Sequence, residues 1–285
     1  MYPTWVLVGA GRCGLGVARA MTAAGIEVVG AEVRSARARA RVRRFLPHTR
    51  TFGTTASLPP ATALLIAVPD PVLGECAASL APRLHPDTRV ALHTSGLLPA
   101  AVLGPIADDA RAVGAWHPLV SFPTPWGSLA PLDGAVAAVE GSRQAVDAAR
   151  WLAHRLHMRP LRLAASAKPR YHAAAVIAAN LSHVLVVTAL AELDRAGVPH
   201  LLATEGLRRL VGGSVDAALA ARGMERLTGP LARADVAALR SHLDVLPAET
   251  AAAYRAVARL AVTALAAGQL LNRRQVHELD AALTE

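Results

Sequence analysis

Lysine is almost missing from this sequence. Of its 30 basic residues, only Lys168 is a lysine and the rest are arginine. Arginine serves wherever positive charge alone is required, but it does not readily lose its proton and is not a compact point donor. A chain that uses arginine nearly everywhere and keeps one lysine directs attention to that position, although chance survival in an arginine-biased composition is the bland alternative. Cysteine is also scarce. Cys13 and Cys76 lie far apart, which makes neither a disulfide framework nor a zinc site. No metal is expected, and a reducing, cytoplasmic setting fits best. Aromatic residues make up 4% of the chain, too little stacking surface for a single-stranded nucleic-acid binder. The net charge of +9 raises that question again, but the arginines are mostly scattered. Neither nucleic acid nor a membrane is expected as a partner. The N-terminus lacks a basic leader, and its apolar run Trp5–Val8 stops at glycines, so it does not read as a signal peptide. The one long apolar stretch, Ala173–Ala191, carries Asn180, Ser182 and His183, which are costly in lipid. It is expected as a buried helix, in a domain core or at a dimer interface.

Over half of the residues, 53%, are hydrophobic, enough for one large domain or two ordinary ones. Apolar runs at 4–8, 26–33, 63–68, 89–93, 113–116 and 135–139 read as strands, interleaved with helices at 15–24, 34–45, 72–84 and 142–156. Alternation of this kind implies an α/β fold, a doubly wound parallel sheet of the Rossmann type. After about residue 165 the pattern becomes alanine- and leucine-rich with helical periodicity, over 167–196, 199–211, 212–222, 231–245, 248–267 and 272–283. We expect a nucleotide-binding domain over 1–164 and an all-helical substrate and dimerisation domain over 165–285.

Gly9-Ala10-Gly11-Arg12-Cys13-Gly14 follows the first strand and opens a helix, the context that gives a G-x-G-x-x-G motif its meaning. Gly9 permits the tight turn, Gly11 lets a pyrophosphate approach the backbone, and Gly14 allows close helix–sheet packing. The helix start, with Arg12 and Cys13, offers free N–H groups and partial positive charge. At the end of the second strand the chain reads Glu32-Val33-Arg34-Ser35-Ala36-Arg37. Arg34 beside Ser35 suits a 2′-phosphate and hence NADP(H). Glu32 is a rival signal for NAD(H), unless strand alternation turns it elsewhere. Val68-Pro69-Asp70 ends the next strand and is expected against the cofactor ribose. His93-Thr94-Ser95-Gly96 ends a later one, so His93, Ser95 and Gly96 are expected near nicotinamide or substrate, as is His117. Asp70 and His93 serve equally well as loop residues with local hydrogen bonds.

Lys168 opens the first long helix of the second half, and His172 lies on the same face four residues on. Asn180 is one of two asparagines in the chain and sits amid apolar residues, where a buried amide needs partners. These three are the catalytic candidates: Lys168 to hydrogen-bond a carbonyl oxygen and supply or relay a proton, Asn180 to orient it, His172 as a substrate contact or a packing residue. Thr228-Gly229-Pro230 reads as a helix start, with a threonine cap and an early proline.

The motifs in this order resemble a bacterial family that joins a Rossmann-like domain to a helical C-terminal domain long catalogued as of unknown function. The resemblance runs through the glycine loop and its following Arg-Ser, Ala67–Asp70, His93–Gly96, Gly114–Leu119, Lys168 with Tyr171–Ala175, Asn180, and Leu227–Pro230 with Arg233, Asp235 and His242. That family is similar to the 6-phosphogluconate dehydrogenase-like group, in which a lysine and an asparagine on the first long helix of the helical domain act on substrate. The resemblance implies those roles for Lys168 and Asn180, although their spacing is wider than usual. It also implies a substrate contact at Thr228 and a homodimer through the helical domain. Arg170 and Ala234 depart from the family pattern. The function expected is NADPH-dependent reduction of the C=O of a small 2-oxo acid, ketopantoate being the best single candidate. Reduction of a C=N bond, or a non-catalytic NADP-binding sensor, are the alternatives.

Overall fold

A computed structural model of the chain describes residues 4–122, 132–220 and 223–284. The chain divides into two compact units, 1–179 and 180–285. This division lies beyond the expected one after residue 164, because the stretch bearing Lys168, Tyr171 and His172 packs with the first unit.

Among the described residues, the first unit is built on an eight-stranded sheet: β1 (Thr4–Val8), β2 (Glu27–Glu32), β3 (Arg50–Phe52), β4 (Ala63–Ile66), β5 (Val90–His93), β6 (Ala112–Pro118), β7 (Val136–Gly141) and β8 (Arg159–Arg162). Their order is β3-β2-β1-β4-β5-β6-β7-β8. The first six run parallel to their neighbours, whereas β7 is antiparallel to β6, pairing Gly114 with Gly141 and His117 with Ala138. The sheet is therefore parallel-dominated rather than wholly parallel. Strand alternation sorts the side chains onto two faces. Trp5, Leu7, Ala63, Leu65, Val90 and Leu92 join α1 (Arg12–Ala23), α2 (Ala36–Phe45) and α4 (Arg143–Arg155) in one core layer. Val6, Val8, Leu64, Ile66 and Ala91 join α3 (Leu73–Leu80) and the 3₁₀ segment 100–106 in the other. Burial on both faces explains why these strands are continuous apolar runs. The order reverses between β1 and β4, and the carboxyl ends there form the crevice where open α/β sheets bind ligands.

Helix α5 (Lys168–Val176) follows a 3₁₀ turn at Ala165–Ala167, and a π-helical turn at Ile177–Leu181 leads into α6 (Ser182–Arg195). The second unit continues with α7 (His200–Ala220), α8 (Val236–Val245), α9 (Ala248–Ala267) and α10 (Arg273–Ala282). Leu239, Ala258, Val262, Leu265, Leu279 and Leu283 form its core. Two expectations are corrected here. Thr228–Pro230 does not start a helix: Gly229 at φ 95° and Ala234 at φ 52° break the helical backbone, and Asp235 caps α8, its Oδ1 accepting from Ala238 N at 3.0 Å. The helices at 199–211 and 212–222 are one, because the Gly212-Gly213 pair does not interrupt α7.

The apolar helix expected to be buried is largely uncovered within the chain. The helical segment 165–195 contains an 18-residue stretch with a mean hydropathy of 2.0, which is enough, by length and composition alone, to cross a membrane. Yet Ile177, Leu181, Val184 and Val187 are each at least half exposed. A groove of about 920 Å³ runs along α6, lined by Val184, Leu185, Leu193, Leu207, Leu246 and Tyr254.

Candidate functional site

The glycine loop has the conformation that its sequence requires. Gly9 takes φ 94°, a left-handed value that disfavours side chains. A Cβ there would also lie 2.5 Å from the Ala67 carbonyl oxygen. A Cβ on Gly14 would collide with the Gly9 carbonyl oxygen, so helix α1 can approach the sheet only through glycine. Gly11 is the contrast: nothing lies within 4 Å of its Cβ position. It begins α1 as an N-cap without a side-chain cap, and no acidic residue stands in the first turn. The start of α1 thus keeps its N–H groups and positive dipole end for an anion. Arg12 is exposed beside it. Burial of the Cys13 sulfur pushes its thiol up to about 11, against the opposing pull of a Thr94 hydrogen bond, so it stays protonated.

A cavity of about 190 Å³ opens in front of this loop, lined by Gly9, Ala10, Gly11, Glu32, Arg34 and Pro69 among others. The residues expected at a dinucleotide site, from the glycine loop, the end of β2 and the Val68-Pro69 turn, thus converge on one hollow. Arg34 is exposed at its rim, and Arg41 lines it while its Nη2 donates to the Ala10 carbonyl at 3.3 Å. Ser35 caps α2, its Oγ accepting from Ala38 N at 3.1 Å, which leaves the hydroxyl proton available. Glu32 is buried and ion-paired with Arg83 at 2.8 Å.

Farther along the same edge, Ser95 is a hub. Its amide donates to His93 Nδ1 at 3.1 Å, and its hydroxyl donates to Asp70 Oδ2 at 2.9 Å. The same Oγ accepts from Leu97 N and Leu98 N at 3.1 and 2.9 Å. Its carbonyl accepts from Lys168 Nζ at 3.0 Å. Lys168 is 2% exposed. Burial lowers its pKa, while the negative charges of Glu140 and Asp70 oppose that shift. His93 is completely buried, and its Nδ1 accepts from the Ser95 amide. Burial, reinforced by the Lys168 charge, drives His93 down to about 3 even though the Pro99 backbone favours its protonation. Its Nε2 makes no well-formed hydrogen bond there.

His117, at the carboxyl end of β6, meets α5. Its Nδ1 lies 2.9 Å from the Tyr171 hydroxyl, and its ring is edge-on to His172 at 6.4 Å between centroids. Burial pushes Tyr171 up to about 12, so the phenol keeps its proton. With that phenol donating, the imidazole proton sits on Nε2. His117 is held near 4 by burial, then by the charge of Lys168 and by His172, and is neutral at pH 7. Gly96 lies between the rings: a Cβ there would stand 2.9 Å from both His117 Nε2 and His172 Cδ2. Lys168 and His172, one turn apart, thus both face the Ser95-Gly96 turn.

Asn180 and Thr228 fall in the second unit. Asn180 is exposed, in the π-helical turn, rather than buried. π-turns within helices recur at functional positions. Thr228 is exposed and lines a hollow of about 490 Å³ with Arg209, Ser214 and Arg226. Sequence reasoning named Tyr171 without a role, and did not single out Glu140, Arg41 or Arg83. Tyr171 sits three residues after Lys168, the one local signal; the others are defined by partners distant in sequence.

A glycine loop at a helix start, beside a hollow at the sheet's switch point, defines a Rossmann-type nucleotide-binding fold. Residues 4–118 match the model of a Rossmann-like domain, and residues 135–261 match that of a domain of unknown function, DUF2520. The chain thus carries both domains, in this order. Among solved structures, a Bacteroides fragilis protein described as an NADP oxidoreductase is similar at a TM-score of 0.76 and 18% identity, over 91% of this chain and 95% of that one. A Thermotoga maritima protein matches at 0.67 and 21%, over 93% and 99%. The pyrroline carboxylate reductase of Plasmodium falciparum, solved with NADP bound, matches at 0.55 and 10%, over 99% and 95%. At these identities the likeness is one of fold. No curated protein matches the chain.

Proposed function

We propose that this chain is an NADPH-dependent reductase of the C=O group of a small 2-oxo acid, with ketopantoate the best single candidate. The observation that carries the reading is the burial of the only lysine, Lys168, against the turn that ends β5. An ammonium is costly to bury, and arginine fills every other basic position. When bound, NADPH supplies the hydride. The backbone of Gly9, Gly11, Arg12, Cys13 and Gly14 holds the pyrophosphate, Arg34 and Ser35 take the 2′-phosphate, and Val68, Pro69 and Asp70 border the ribose. The fit rests on the open face of Gly11 and the uncapped start of α1.

Lys168 keeps N–H donors beyond the one given to Ser95. It would hydrogen-bond the carbonyl oxygen of the substrate and supply the proton that this oxygen takes up on reduction. His117, His172 and Gly96 contact substrate, while His93 and Ser95 hold the turn. The protein works in the cytoplasm as a homodimer, and the uncovered apolar side chains of α6 support pairing with a second copy.

A screen of 2-oxo acids and cyclic imines, following NADPH absorbance, tests the reading. Turnover of an oxo acid is expected. Turnover of imines alone replaces C=O with C=N reduction. No turnover of either, with NADPH binding that alters association with another protein, replaces the enzyme with a sensor.

A further inference from the structure

Glu32 ends β2, the position from which an NAD site offers a carboxylate to the ribose hydroxyls. It lines the hollow with Arg34 and Arg41. Such a carboxylate would repel a 2′-phosphate, yet Glu32 is not free to act alone. Arg83 Nη2 stands 2.8 Å from Glu32 Oε2, with the two side chains 11% and 5% exposed. The angles fall outside hydrogen-bond geometry, so the contact acts through charge.

Arg83 closes the 3₁₀ turn Ala81–Arg83 and is not among the residues lining the hollow. It is held in place from two directions. Its Nε donates to the Ser79 carbonyl at 2.8 Å, and its Nη1 donates to the Ala56 carbonyl at 3.0 Å. A guanidinium fixed by two backbone carbonyls is a rigid, permanently charged counterion.

We infer that Arg83 is a positioning residue for cofactor selectivity: it holds Glu32 and cancels its charge, so that a 2′-phosphate is accepted beside Arg34. The inference rests on reading this hollow as the adenosine end of an NADP(H) site. It assigns the carboxylate and the arginine opposite effects on one ligand group, which makes them separable by a double-mutant cycle.

The experiment measures Kd for NADPH and NADH on the full chain by nucleotide fluorescence, in wild type, Arg83→Met, Glu32→Gln and the double variant, each checked by thermal melting. Arg83→Met is expected to lower the ratio Kd(NADH)/Kd(NADPH) at least ~10-fold, because an uncompensated carboxylate then faces the phosphate. Glu32→Gln in that background is expected to restore it. Glu32→Gln alone is expected to leave NADH within about 3-fold, since the carboxylate is already taken up. A ratio unmoved by Arg83→Met overturns the inference even if wild type prefers NADPH. If Arg83→Met does not fold, a large NADH loss in Glu32→Gln alone overturns it, and an unchanged NADH affinity supports it. A wild type that favours NADH, with a ratio that still moves and recovers, retires the NADP reading and leaves the Arg83–Glu32 coupling standing.

Discussion

Replacing Lys168 by methionine separates its chemical role from its structural one. The ammonium is buried, and an ion of this kind costs several kcal/mol to desolvate even after relaxation. Against that cost stand the hydrogen bond to Ser95 O at 3.0 Å and the fields of Glu140 and Asp70. Burial lowers the Lys168 pKa, and the charges of Glu140 and Asp70 oppose that shift. Methionine fills much of the same volume without charge, so Lys168→Met should change stability by no more than about 1 kcal/mol, or raise it. Loss of a proton donor on the reacting oxygen should cut turnover about 10²- to 10⁴-fold, roughly 3–5 kcal/mol of transition-state stabilisation. NADPH affinity should stay within about 3-fold, because none of the residues lining the hollow is Lys168. His117 should titrate above its present value of about 4, since one cause of its depression is removed. The assays are thermal melting, NADPH titration, steady-state oxidation of NADPH with the best oxo acid, and NMR of the imidazole. A variant that melts several degrees lower but turns over within 3-fold of wild type would make Lys168 a brace, and the reasoning fails.

Three further outcomes are expected. Arg34→Ala should weaken NADPH about 10- to 100-fold and NADH by less than about 3-fold, as for loss of a charge-assisted contact to phosphate; equal losses would refute the 2′-phosphate assignment. The His93 pKa of about 3 lies below its ordinary 6.5, so the fold favours the neutral ring. Its contribution is fully present above about pH 6.5 and is lost as pH falls toward 3. Urea melts should therefore show about 2 kcal/mol less stability at pH 5 than at pH 7 from this residue, and a stability that does not fall over that interval would contradict its burial as a neutral group. Sedimentation should give twice the chain mass of 29.6 kDa, and Val184→Glu should shift it toward the monomer; a wild-type monomer would contradict pairing through α6.

Local patterns and long-range pairings differ in how far the sequence disclosed them. The glycine loop was legible because each glycine answers a local steric demand, as the collision at Gly14 shows. The core strands were legible because they are buried on both faces and read as apolar runs. The antiparallel return of β7 was not, since nothing in an apolar run encodes direction. Gly212-Gly213 suggested a break that helical context overrode, and the start of α8 was misplaced because Asp235, rather than Thr228, supplies the cap. Periodicity marked residues 173–191 as apolar but could not say what covers them. At the site, Lys168 and His172 share a face by helical spacing alone. The links Lys168–Ser95, His117–Tyr171 and Glu32–Arg83 join residues 73, 54 and 51 positions apart (83 − 32 for the last), and only the fold brings them together. Residue type gave Ser95 as a ligand contact; its hydroxyl instead organises the turn through three hydrogen bonds.

The most direct measurement is a calorimetric titration of the full chain with NADPH, and separately with NADH. One NADPH per chain, bound at least ~10-fold more tightly than NADH, is the predicted result. No heat from either nucleotide, with the protein folded by thermal melting, would contradict the account.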